Sequence, residues 1–287
     1  MPLLHVLLDP FALGFMRRAL VGCLALSLAG PPLGVLLVLR RMSLTSDVLQ
    51  HGMLPGVALG ALAGGLTVPA MGLGAFLAGL AVALLASWLA RVSGGAEDSQ
   101  LAGVFLVALA LGVALVSATR GIDLTALLFG NVLAVNDAAL LLMAGAASVS
   151  LVGLAVIWRP LVLESFDPGF LKALGGRGGL WHLAFMALVV ACVVGGLTAL
   201  GTLMSIGLMM LPAVAARHFS AELSGQVAAA VALAVAASVA GLLLSFWGNV
   251  PAGPAIVLSA GMLWALGLLA GPRASLRARL WRPHYRA

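Results

Sequence analysis

Charge is scarce in this chain. Of its 287 residues only 8% are Asp, Glu, Lys or Arg, 63% are hydrophobic, and the mean hydropathy is +1.18. A soluble domain carries about a quarter charged residues, so a soluble fold is excluded. Lysine occurs once, at Lys172, and no GxxxxGK[ST] phosphate loop is present, so any work driven by ATP needs a separate ATPase. Cys23 and Cys192 stand alone in separate apolar segments; neither belongs to a metal-ligand cluster, and each reads as a small hydrophobe. The five histidines, His5, His51, His182, His218 and His284, are scattered, which leaves no nucleophile–base–acid set for a hydrolase and no catalytic site in the chain itself. Alternating polarity is also missing, so a strand barrel is excluded. The N-terminus lacks the order of basic region, apolar core and small-residue cleavage site that marks a signal peptide, and its first apolar run is expected to be retained as a span.

What the chain has instead is long apolar runs. Residues 223–272 contain no charged side chain, and neither do residues 178–216. One bilayer crossing takes about 20 apolar residues, so each run accommodates two passes. The fold class is therefore all-α, a polytopic helical membrane protein in one domain over residues 1–287. The expected spans are roughly 15–39, 45–65, 69–90, 101–118, 138–158, 181–199, 200–216, 225–246 and 254–270. These make nine transmembrane helices, or eight if neighbours merge. Pro31-Pro32 should kink or interrupt the first. Segment 121–136 is too short and too polar at its ends to cross, and reads as a re-entrant or interfacial helix.

The net charge of +6 does not indicate nucleic acid, because the arginines sit at the ends of apolar runs, where they set orientation. With the tail 272–287 placed in the cytoplasm, twelve of the fifteen basic residues fall on the cytoplasmic side, leaving Arg17, Arg18 and Arg120 elsewhere. The N-terminus is then outside and the 159–180 connection is cytoplasmic.

Two stretches carry chemistry. MSLTSDVLQHGMLPGVALG, residues 42–60, sets Asp47 and His51 four residues apart, on one helical face, within an apolar segment. A carboxylate beside an imidazole suits a divalent cation such as zinc or manganese. An interfacial N-cap aspartate with a core histidine is the other reading of the same spacing. Pro55-Gly56 follows, and a proline there frees carbonyls near His51 and bends the helix. The second stretch is RPLVLESFDPGFLKALGGRGGL, residues 159–180. Within it Asp167 caps a short helix, Pro168 occupies its first turn and Gly175-Gly176 ends it. This is either a surface helix or a docking element for a cytoplasmic partner. Gly56, Gly60 and Gly64 add a small-xxx-small stripe that lets helices approach closely.

Taken together, four segments resemble the permease subunit of the bacterial zinc/manganese ABC transporter family (ABC-3 type). They are RRMSLTSDVLQHGMLPGVALG (40–60), LLFGNVLAVN (127–136), ESFDPGFLKALG (164–175), and GTLMSIGLMMLPAVAARHFS with GLLLSFWGNVPAGPAIVL (201–220 and 241–258). The resemblance spans residues 11–271. It implies a homodimer in the cytoplasmic (inner) membrane, two cytoplasmic ATP-binding cassette subunits, and a periplasmic or lipid-anchored protein that delivers the metal. No cofactor would be held permanently; ATP binds the partner, and zinc or manganese passes through. The family's metal position falls on Asp47 and His51, and its coupling segment on 160–180. There Phe166, Asp167, Pro168, Phe170 and Gly175 would meet the ATPase, with Phe166 or Phe170 filling a hydrophobic slot. Pro55, Gly56, Pro212, Pro251 and Gly253 would shape or gate the bundle. The family's aromatic and glycine before the aspartate, and its serine before the histidine, are replaced by Leu44-Thr45-Ser46 and Gln50. Zinc is the expected cargo. The alternatives are a manganese or iron importer, a permease for a metal chelate or siderophore, or a non-energised scaffold or channel subunit.

Overall fold

The computed structural model describes residues 9–94, 97–118, 135–167 and 178–273. Beyond the helical residues 9–12, ten helices occupy them: α1 Gly14–Leu39, α2 Thr45–Gly52, α3 Leu54–Gly64, α4 Val68–Ser93, α5 Glu97–Ala118, α6 Asp137–Phe166, α7 Gly178–Leu200, α8 Thr202–Ala216, α9 Leu223–Gly248 and α10 Ala252–Ala270. Among the described residues seven (α1, α4, α5, α6, α7, α9 and α10) are long and apolar enough to cross a membrane. The protein is thus an all-helical, multi-pass membrane protein.

In two of the nine regions expected as spans the helix is broken or short, and the reason is local backbone chemistry. The segment expected as one span over 45–65 is two helices, because the ladder breaks at Met53 ahead of Pro55. The segment 200–216 yields only the 15-residue α8 after a break at Gly201, whose φ of +86° suits glycine. At about 1.5 Å per residue α8 is ~22 Å long, short of a hydrocarbon core of about 30 Å. Two expected boundaries also moved. Helix α1 runs through Pro31-Pro32 without interruption, with both prolines buried against neighbouring helices. Helix α6 continues past Pro160 to Phe166 instead of ending at 158, and its last carbonyls and side chains are held by Arg40. Most of segment 121–136, the rest of the coupling segment and nearly all of the basic tail lie outside the described residues.

Small residues set the packing. A Cβ on Gly34 would run into the Met209 carbonyl, one on Gly196 into Ser205, and one on Gly22 into Met143. These contacts bring α1, α7, α8 and α6 close together, α1 and α8 at backbone range, where van der Waals contact holds membrane helices together without a hydrophobic driving force. Ser27 of α1 and Ser238 of α9 hydrogen-bond at 2.9 Å, both fully buried. Cys23 and Cys192 are buried free thiols in the same core. Helices α1 and α7 form its centre, whereas α5 stands largely exposed on the outside.

Contacts also fix helix directions. Arg18 near the start of α1 pairs with Asp137 at the start of α6 at 3.3 Å. Arg40, just past the end of α1, pairs with Glu164 in the last turn of α6 at 2.9 Å. The two helices therefore run the same way. Leu26 lies beside Gly196 and Ser205, Gly30 beside Met209 and Gly34 beside Ala213, so α8 is parallel to α1 as well. Arg91 at the end of α4 lies beside Gly179 at the start of α7, and Arg273 donates its backbone N–H to the His218 carbonyl at 3.0 Å. Arg40, Arg41, Arg91, Arg159, Arg217 and Arg273 consequently gather at one end of the bundle, opposite Arg17 and Arg18.

Candidate functional site

The site is built from the turn that follows α1. Arg40 caps that helix and Arg41 takes a left-handed φ of 60°. The Met42 N–H returns to the Leu37 carbonyl at 2.9 Å and the Arg41 N–H to Val38 at 3.2 Å. This pair of bonds is a Schellman ending with arginine where glycine is usual. It reverses the chain and starts α2 four residues later, at the arginine-rich end.

Helix α2 carries an acid in its first turn and an imidazole in its last, the arrangement the helix dipole favours. The spacing read from the sequence holds: His51 Nε2 lies 3.6 Å from Asp47 Oδ1. The N-cap is Leu44, so Asp47 is not a capping residue. Beyond Gly52 the Met53 N–H still reaches Leu49 at 3.0 Å, but Pro55 has no N–H to offer the His51 carbonyl one turn back. The Gly56 and Val57 N–H groups both turn to the Met53 carbonyl, at 3.0 and 3.1 Å, and α3 departs from there.

Depth follows from the neighbours of that break. Met53 packs on Gly79 of α4, and Val190 of α7 lies against the same glycine. Both positions are close to the middle of their helices. Gly56 and Gly60 of α3 then lie along Gly74 and Ala70 of α4, so α3 runs away from the arginine-rich end while α4 runs toward it. The discontinuous α2–α3 therefore traverses the bundle, with His51 near half depth.

The pair is not enclosed by its own chain. The Asp47 side chain is 51% exposed and that of His51 28%, and the imidazole lies 6.4 Å from the Phe105 ring of the outer helix α5. One oxygen and one nitrogen donor thus share an accessible face, Asp47 one turn nearer the arginine-rich end than His51. Among the described residues no group of three or more His, Cys, Asp and Glu side chains could hold a metal ion. Around the helix from them the picture inverts. Thr45 Oγ1, Ser46 Oγ and both polar atoms of Gln50 are fully buried, with no hydrogen-bond partner among the described residues. These groups had a signal in the sequence, the polar run TSDVLQH in an apolar chain, but periodicity does not say which polar face is covered.

The other expected positions are distributed as follows. Pro55 and Gly56 are buried at the break, Pro212 is buried inside α8, Pro251 is the exposed N-cap of α10, and Gly253 is buried in the first turn of that helix. Phe166 ends α6 with 68% of its surface exposed, and Asp167 caps that helix at its C-terminal side. Pro168, Phe170 and Gly175 lie outside the described residues.

A match to the ABC 3 transport family covers residues 12–271. The chain is 30% identical over 270 residues to the manganese transport system membrane protein MntC of Halalkalibacterium halodurans, covering 93% of this chain and 91% of that one. It is 29% identical over 260 residues to the manganese import system permease protein ScaB of Streptococcus parasanguinis, covering 90% and 91%. In the solved structure of PsaBC from Streptococcus pneumoniae in complex with Fab, one chain superposes with a TM-score of 0.81 at 28% identity, covering 93% of this chain and 96% of that one.

Proposed function

Because the chain belongs to the ABC 3 transport family, we propose that it is the membrane permease subunit of an ATP-driven importer of a divalent metal, with manganese as the cargo. The imidazole of His51 alone suggested zinc, but an oxygen–nitrogen donor pair accepts either ion. Relatives of nearly the same length are named for manganese. Asp47 and His51 are the transit site.

The observation that carries this reading is the accessible pair, 3.6 Å apart and beside an outer helix. An ionisable pair left against lipid is costly. A second copy of the chain, packed with the same face inward, removes the pair from lipid and brings two more ligands to a shared pathway. Two ligands per chain are too few for tight four-coordination, which suits a site that must release its ion. The Pro55 break allows α2 to move against α3, as discontinuous helices do in other transporters. By the positive-inside tendency the arginine-rich end faces the cytoplasm. That orientation places the N-terminus outside, in a bacterial inner membrane, with 160–180 meeting a dimer of ATP-binding cassette subunits and a periplasmic or lipid-anchored binding protein docking opposite. Phe166, Asp167, Pro168, Phe170 and Gly175 would form the ATPase contact.

The test is uptake of radioactive manganese against zinc by the complex reconstituted in vesicles. ATP-dependent accumulation of manganese, lost in D47A and H51A variants that still assemble, is the expected result. Equal uptake by wild type and both variants overturns the site.

A further inference from the structure

One charged side chain at the arginine-rich end is nearly enclosed and has no part in the metal pair. Arg40 is 9% exposed and its partner Glu164 16%. Its Nε donates to Ser165 Oγ at 3.0 Å, Nη1 to His182 Nδ1 at 3.1 Å, and Nη2 to both Glu164 Oε2 at 2.9 Å and the Leu161 carbonyl at 3.3 Å. The guanidinium carbon also lies 5.1 Å from the centroid of the buried Phe185 ring. A guanidinium has no acceptor, so His182 must present its Nδ1 lone pair and hold its proton on Nε2. A fork of N–H groups reaching four acceptors is something lysine cannot reproduce.

The positions of these acceptors are informative. Leu161, Glu164 and Ser165 form the last turns of α6, just before Asp167; His182 and Phe185 lie in the first turns of α7. One side chain therefore grips both flanks of the 167–178 connection. On its own strand of chain, Arg40 sits five residues before Thr45, where α2 begins, with the bonded reversal at Arg41 and Met42 between. The fold does not need this grip to bring α6 and α7 together. Ser150 bonds the Leu188 carbonyl at 3.2 Å, and Gly153 and Gly195 pack at close range along the same interface. A buried ion pair is in general no better for stability than apolar side chains of the same size.

We propose that Arg40 is a positioning residue of transport. It clamps the two flanks of the connection to the turn that feeds α2, so that a displacement of the connection reaches Asp47 and His51 as one movement. This rests on the importer reading, with the connection as the ATPase contact.

The experiment uses the full complex with its ATPase in lipid vesicles, with R40K and E164Q variants. A spin label at Leu44→Cys, an exposed position at the start of α2, reports the motion. Expected for R40K is assembly with the ATPase, ATP hydrolysis within about twofold of wild type, and metal moved per ATP reduced at least tenfold. E164Q falls between, since it keeps a neutral acceptor. The ATP-induced change in label mobility seen in wild type is lost in R40K. If R40K fails to assemble, E164Q carries the same comparison. A wild-type metal-to-ATP ratio and label response in the variants overturns the clamp. So does a loss of uptake, hydrolysis and thermal stability by one common factor, the mark of a merely structural role. A wild-type complex whose label responds to ATP but which moves no divalent metal overturns the importer reading instead, and leaves the label comparison to judge the clamp.

Discussion

Gly56 of α3 and Gly74 of α4 face each other backbone to backbone: a Cβ on either would meet the carbonyl oxygen of the other. The contact continues at Gly60 and Gly64 against Ala70, so the stripe read from the sequence is the seam of a tight helical hairpin. Gly56→Ala and Gly74→Ala should each lower stability by about 1–3 kcal/mol, because backbone cannot yield as a flexible side chain does. Gly103→Ala is the control, since nothing lies within 4 Å of its Cβ position. It should gain up to about 1 kcal/mol from helix propensity. Thermal unfolding in detergent separates the three.

Restoring a hydrogen-bond donor at the helix break should act in the opposite sense on stability and on transport. Pro55→Ala supplies the N–H that the His51 carbonyl lacks one turn back, and favours a continuous helix from Thr45 to Gly64. We expect a melting temperature equal to or above wild type and metal uptake reduced at least about tenfold, a cost of ~1.4 kcal/mol in the transport barrier. Uptake at the wild-type rate would show that the break has no part in moving the ion.

Arginine at position 41 occupies a left-handed conformation, φ 60°, on the exposed side of the turn. The Cβ penalty there is about 1–2 kcal/mol, and glycine avoids it at some entropic cost. Arg41→Gly should therefore raise stability by roughly 0.5–1 kcal/mol, whereas Arg41→Ala, which keeps the Cβ, should not. Comparison of their melting curves with wild type checks the sign.

Ser27 and Ser238 share one hydrogen bond across the core at 2.9 Å, with no water access. Ser27→Ala or Ser238→Ala strands the other hydroxyl and should cost about 1 kcal/mol. The double variant should cost less than the sum, with a coupling near 0.6 kcal/mol, the average for such bonds in membrane proteins. Additive losses would mean the two hydroxyls do not depend on each other.

Much of this architecture is local in origin, and local features are legible in a sequence. The apolar runs dictated a helical membrane protein, because no other backbone satisfies its polar groups in lipid over 20-residue stretches. Arginines at the ends of runs anticipated that Arg40, Arg91, Arg217 and Arg273 would share one end. The four-residue step from Asp47 to His51 dictated their stacking, since 3.6 residues per turn leaves no alternative within a helix. What only the folded chain decided depended on partners far away in sequence. Pro31-Pro32 pass within a helix and Pro55 sits at a break, although both sites carry the same missing N–H; the difference lies in what packs around them. Equally, nothing near Arg40 in the chain foretold Glu164 or His182, more than a hundred residues on. Polar side chains on one short helix look alike to a periodicity argument, yet Gln50 is sealed in and Asp47 looks out, because burial is a property of the surroundings and not of the residue.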